Sequence, residues 1–136
     1  MLKNDIIPDR IFTVSNVLSP EECAEYITLT ENIGYTPAGL TVGKDEYMMA
    51  PQVRNNDRVI LDDEKRAADL WHRIAEYFPA TIDNWTPIGL NERLRFYRYD
   101  PGQWFAPHGD GSYMRRNHDR SRLTFMIYLN DGFEGG

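Results

Sequence analysis

Two side chains late in the chain are of the right kind and spacing to share a cation. His108 and Asp110 are separated by one residue, and on an extended backbone residues two apart point to the same side. An imidazole and a carboxylate presented together can reach one metal ion. Alone the pattern is weak, because three histidines and twelve aspartates in 136 residues make a chance H-x-D expected in roughly one such sequence in four. The plain alternative is a polar pair on a surface hairpin, so the flanks decide. Ahead of the pair stands a strand-like Leu94-Arg95-Phe96-Tyr97-Arg98-Tyr99 that ends in Tyr99-Asp100-Pro101-Gly102. Behind it run Leu123-Thr124-Phe125-Met126-Ile127-Tyr128-Leu129-Asn130-Asp131 and Phe133-Glu134-Gly135-Gly136.

With these flanks the chain resembles the 2-oxoglutarate- and Fe(II)-dependent oxygenases, in their prolyl 4-hydroxylase-like branch. The resemblance runs from about Phe12 to the end: a Leu18-Ser19-Pro20-Glu21-Glu22-Cys23 helix opening, the strand at 94–99, the H-x-D, and the Tyr128-Leu129-Asn130 strand leading to Glu134-Gly135-Gly136. Its later half is the specific part. In that family two histidines and one carboxylate occupy one face of an octahedron and leave three positions open. His108 and Asp110 match the first two ligands. The tyrosines that help hold 2-oxoglutarate correspond to Tyr99 and Tyr128, whose phenols suit carboxylate binding, with Tyr97 and Tyr113 as less favoured alternatives. The resemblance implies oxidative decarboxylation of 2-oxoglutarate to succinate and CO2, coupled to hydroxylation of a C–H in a protein or small-molecule substrate. It implies Fe(II) as cofactor, 2-oxoglutarate as cosubstrate and ascorbate as a possible ancillary reductant.

The family's third ligand is a second histidine several dozen residues after the H-x-D, followed by a basic residue that pairs with the distal carboxylate of 2-oxoglutarate. The sequence ends at Gly136 with no match for either. His118, eight residues past Asp110, and His72, in a helical segment, are poorly placed for the role. We therefore expect a fragment or truncated form, a natural product heavier than 15.9 kDa, and weak Fe(II) binding by these 136 residues alone. The alternative is a non-catalytic binding or assembly module that keeps the fold and self-associates through unpaired strands.

The elements that must position the pair are legible in part. Ser19 as N-cap, Pro20 at the first helical position and Glu22 closing a capping box predict a helix to about Asn32, before Gly34. Residues 34–57 read mostly as loop, with Val53 opening a short strand, and Val59-Ile60-Leu61 as a better one. Asp62 or Asp63 caps a second helix to Phe78, with Ala67, Leu70, Trp71, Ile74 and Phe78 on one face. Strands are expected at 94–99 and 123–129. Helices first and strands after predict an α+β fold with the helices on a mainly antiparallel sheet. The resemblance refines this to a double-stranded β-helix, or jelly-roll, that is C-terminally incomplete. It makes one domain, 1–136, of N-terminal helical support (about 1–80) and the first half of the jelly-roll core (about 90–136).

Composition bounds the rest. A 136-residue chain, 41% hydrophobic, suffices for one core. It carries no apolar run long enough to span a membrane and no secretory signal at Met1-Leu2-Lys3. The single cysteine, Cys23, excludes an intrachain disulfide and reads as a buried thiol, consistent with a reducing, cytoplasmic compartment. The net charge of −6 is uneven: residues 1–92 carry 8 basic and 16 acidic side chains, whereas 93–122 carry 7 Arg against 3 Asp. Such acidity disfavours nucleic acid, and with it a nucleic-acid dealkylase, while leaving room for a local anion site. Trp104 and Phe105 read as packing or pocket wall. Residues 115–122 read as a solvated loop or a substrate lid, and 54–58 as a substrate-side loop.

Overall fold

The computed structural model of the chain describes residues 1–8, 10–43, 46–135. Its elements, in chain order, are strands β1 (Leu2–Ile7) and β2 (Ile11–Ser15), helix α1 (Pro20–Ile33), strands β3 (Thr36–Pro37), β4 (Leu40–Gly43), β5 (Glu46–Met48) and β6 (Asp57–Asp62), helix α2 (Glu64–Ile74), a 3-10 turn (Ala75–Tyr77) and strand β7 (Arg93–Arg98). The fold is α+β, and every strand pairing is antiparallel. Three small sheets form: β1-β2, β4-β5 and the central β3-β6-β7.

Both helices start as their caps dictate. At α1 the Ser19 Oγ accepts from the Glu22 N–H at 3.2 Å while the Glu22 carboxylate accepts from the Ser19 N–H at 2.8 Å, satisfying two otherwise orphaned donors. The helix ends one residue later than expected, at Gly34, whose φ of 94° is open to glycine at little cost. Asp63 caps α2 by accepting from the Arg66 N–H at 2.8 Å. The anticipated apolar face of α2 is the core: Ala67, Leu70 and Ile74 are buried, and Trp71 meets Phe78 with ring centroids 5.4 Å apart. Phe78 lies beyond the 3-10 turn and meets Phe12 of β2 edge-on, also at 5.4 Å. Cys23 is half-buried in α1.

The central ladder pairs β6 with β7 from Asp57↔Arg98 to Asp62↔Arg93. Opposite charges close both ends, with Arg93 forked on Asp62 at 2.8 and 2.9 Å and Arg98 on Asp57 at 3.0 Å. Such cross-strand pairs hold register where the strands would fray. Tyr26 of α1 lies over Phe96 of β7 with centroids 5.8 Å apart, so α1 covers this sheet as expected. Arg73 of α2 grips the Glu22 carboxylate at 2.6 and 2.9 Å, tying the two helices together.

Four expectations need correction. The helices do not precede the strands: the β1-β2 hairpin comes before α1 and four strands separate the helices. Residues 34–57 hold more strand than expected: loop and turn still make up just over half of the described residues there, but Leu40–Gly43 and Glu46–Met48 pair with each other, an arrangement that their weak alternation does not announce. Val53 lies in a turn rather than opening a strand, and only Arg54 makes an isolated antiparallel pairing, with Phe105. Residues 123–129 form no strand, since none of the described residues offers them a ladder partner. Alternation survives there nonetheless: Leu123, Phe125, Ile127 and Leu129 are half-buried, while Thr124, Met126 and Tyr128 are exposed. A strand needs a partner's hydrogen bonds as well as a pattern. No helix among the described residues is long and apolar enough to cross a membrane.

Candidate functional site

The path from β7 to His108 is set by one turn and one pairing. After Arg98 the chain reverses at Asp100-Pro101-Gly102-Gln103, closed by the Gln103 N–H donating to the Asp100 carbonyl at 2.9 Å. Proline second and glycine third, with Gly102 at φ 84°, are what a type II turn requires. Residues 104–106 then return beside 53–55: the Asn55 N–H donates to the Trp104 carbonyl at 3.1 Å and the Ala106 N–H to the Val53 carbonyl at 2.8 Å. The Asn55 side chain closes the patch by accepting from the Trp104 N–H at 2.7 Å.

His108 leaves this patch with its ring oriented from two directions. Its Nδ1 lies 2.8 Å from the Ala106 carbonyl, and since a carbonyl can only accept, Nδ1 carries the proton. Its ring stacks on Phe105, with centroids 3.6 Å apart and planes 20° apart. The remaining nitrogen, Nε2, stands 3.4 Å from Asp110 Oδ1. Cis donors each about 2.1 Å from one octahedral ion stand about 3 Å apart, so the pair fits two ligand positions in donor type and nearly in spacing. The other Asp110 oxygen accepts a short hydrogen bond from the Thr124 hydroxyl. Both donors are thus held through their non-ligating atoms, the supporting arrangement that orients metal ligands. Among the described residues no third His, Cys, Asp or Glu joins them. His118 sits in the 115–119 turn at φ 71° and His72 is exposed on α2.

The two candidate tyrosines stand near each other electrostatically. Partial burial pushes the Tyr99 phenol above its ordinary range; the Arg54 guanidinium opposes this, and Tyr97 and Tyr128 add to it. Arg54 also lies over the Tyr97 ring at 4.8 Å and the Phe105 ring at 3.9 Å. Tyr128 is on the same side of its extended segment as Thr124, the residue that holds Asp110. Arg54 and Phe105 thus connect Tyr97 to His108, whereas the Tyr128 ring stacks on Phe133 with centroids 6.1 Å apart. Tyr113 is tied to Ser121 through its backbone, its N–H donating to the Ser121 hydroxyl at 2.8 Å and its carbonyl accepting from the Ser121 N–H at 2.9 Å, while its ring is exposed.

The chain is similar to a prolyl 4-hydroxylase. Prolyl 4-hydroxylase 1 of Arabidopsis thaliana is 25% identical over 130 residues, covering 93% of this chain and 45% of that protein. The chain thus spans less than half the length of this relative, and the likeness is a distant one. No family model matches the chain, and no solved structure matches it.

Two readings changed once the site was built. Thr124 had no signal of its own, since a threonine inside an apolar run reads as a strand residue until its hydroxyl is found on Asp110. Arg54, read as part of a substrate-side loop, is 4% exposed, and Asn56 is wholly enclosed. The arginines of 115–122 are largely committed within the chain: Arg115 to Glu92, Arg120 to Ser112 at 2.7 Å, and Arg122 over Trp85 at 5.0 Å.

Proposed function

We propose that the chain is part of a 2-oxoglutarate- and Fe(II)-dependent dioxygenase that hydroxylates a C–H of a protein or small-molecule substrate, built on the first half of a jelly-roll core. The observation that supports it most is the His108/Asp110 pair, two metal-donor atoms 3.4 Å apart whose other atoms are each engaged by a neighbour. Similarity to a prolyl 4-hydroxylase over most of the chain agrees with this chemistry.

In this reading His108 Nε2 and an Asp110 oxygen hold Fe(II), and a third donor must come from outside the described residues. Bound Fe(II) would activate dioxygen, the oxidant, with one oxygen atom passing to 2-oxoglutarate as it loses CO2 to give succinate and the other to the substrate C–H, a chemistry that protein side chains lack. The chain's own groups perform the rest. The Ala106 carbonyl fixes the His108 tautomer so that Nε2 presents a lone pair. Thr124 turns one Asp110 oxygen away and leaves the other for the metal. Tyr99, whose phenol burial pushes up, and Tyr128 donate from their hydroxyls to carboxylate oxygens of the cosubstrate.

The test is succinate release from isotopically labelled 2-oxoglutarate with Fe(II) and ascorbate, run with and without imidazole as a surrogate third donor. Imidazole-dependent succinate formation is expected, falling to background in H108A and D110A. Equal release in wild type and both variants would sink the proposal. Reading the coding sequence past Gly136 for a histidine followed by arginine or lysine bears on the same point. A second reading, a binding module, is favoured by the unladdered run 123–129 with Met126 and Tyr128 exposed. It predicts no succinate but concentration-dependent self-association.

A further inference from the structure

Arg54 poses a physical problem that the site explains. A guanidinium that is 4% exposed would ordinarily be matched by a carboxylate, because burying an unpaired charge is costly. Among the described residues no carboxylate lies within 4 Å of it, and its hydrogen bonds run from Nε and Nη2 to one neutral oxygen, Asn56 Oδ1, at 3.1 and 2.9 Å. Asn56 is wholly buried and anchored in turn by its Nδ2, which donates to the Asp57 carbonyl at the start of β6 at 2.9 Å. The charge is instead laid against π faces, with the guanidinium carbon 3.9 Å from the Phe105 centroid. The His108 ring lies 3.6 Å from the same centroid. Two planar groups this close to one ring cannot share a face. Phe105 is therefore clamped between guanidinium and imidazole.

We propose that Arg54 is a positioning residue for His108, acting through Phe105. The inference rests on the reading of His108 as a metal ligand. Support runs from the central strand β6 through Asn56 to the guanidinium plane, from there to the phenyl ring, and from the ring to the imidazole. An aliphatic side chain would fill the same space at lower desolvation cost. A planar cation adds attraction to the ring face and an orientation imposed by the Asn56 fork. With Nδ1 held on the Ala106 carbonyl, the stack removes the imidazole's remaining rotation, so Nε2 faces Asp110 before any metal arrives. Supporting groups of this kind commonly change metal affinity without touching the metal.

The experiment uses the full 136-residue chain with its histidine rings labelled for NMR. Phe105 should shift the His108 ring protons upfield, with His72 and His118 as internal references. F105L should abolish the shift. R54M should reduce it and weaken Mn(II) binding, read from paramagnetic broadening of His108, by about 10- to 100-fold, while melting stays cooperative. R54K, which keeps the charge but not the planar fork, should fall between wild type and R54M. An R54M protein that folds and keeps both the wild-type shift and the wild-type Mn(II) affinity overturns the proposal. If R54M does not fold, an unchanged His108 shift in R54K overturns it; if neither variant folds, a purely structural role for Arg54 suffices and the proposal falls. Absence of Mn(II) broadening in wild type would instead defeat the metal reading, while the shift data still decide whether Arg54 positions the ring.

Discussion

The β6-β7 ladder and the 123–129 run both carry β-branched and aromatic residues in alternation, yet only the first forms strands. β6 is paired on both sides, has Val59 buried, and shares with β7 a ladder closed by Asp57–Arg98 and Asp62–Arg93. Residues 123–129 keep the alternation but have no ladder among the described residues, and Tyr128 remains 63% exposed. The candidate site lies between these regimes. His108 is tied back to the ordered half through Ala106, Phe105 and Arg54, whereas Asp110 leans on Thr124 in the unpaired half. A strand's order comes from its neighbours, and the two candidate ligands inherit their order from different neighbours.

Several measurements would break or sharpen this contrast. The largest effect is expected in the ordered half: Ile74→Ala, at a position 1% exposed, should cost about 2–5 kcal/mol in urea unfolding because it leaves a cavity. A cost below about 0.5 kcal/mol, the range typical of surface changes, would remove the distinction between the halves. Next, Ser19→Ala removes the α1 cap and half of its capping box; a loss of about 1 kcal/mol is expected from the same unfolding curves.

The α1–α2 tie should appear in the acid limb of a pH titration of stability. Hydrogen bonds from Arg73, then from the Ser19 backbone, lower the Glu22 carboxyl from 4.5 to about 2. A carboxyl depressed on folding contributes stability that is fully present above its unfolded pKa, near 4.5, and is lost as the pH falls through about 2. Glu22→Gln should therefore be less stable than wild type at neutral pH and converge with it toward pH 2. Parallel curves for the two proteins would remove Glu22 from the linkage. The smallest effect belongs to the unpaired run: Met126→Ala, at a site 67% exposed, should shift stability by no more than about 0.5 kcal/mol. A loss of several times that would mean the run is packed in solution as tightly as β6.

Legibility followed the range of the interaction that decides each feature. The two caps and the apolar face of α2 depend on residues three or four positions apart, and each was readable from residue type and spacing. The β4-β5 hairpin was not, because its weak alternation carries no periodic signal. The β1-β2 hairpin was passed over in favour of the helices behind it. At the site, the spacing of His108 and Asp110 was visible, and so were Tyr99 and Tyr128 by resemblance. What holds the pair was invisible: Thr124 is fourteen residues from Asp110, and Arg54 reaches Phe105 across a pairing of distant segments.

The sequence by itself determined which residues are candidates for metal-binding chemistry, since donor type and a two-residue spacing are local properties of the chain. It also determined the helix starts. Tertiary structure alone decided that Arg54 is buried beneath Phe105, that Thr124 engages one Asp110 oxygen, and that 123–129 stays unpaired. Burial, stacking and strand pairing are relations between segments far apart in sequence, settled by which backbone donors and acceptors and which apolar faces find partners in space.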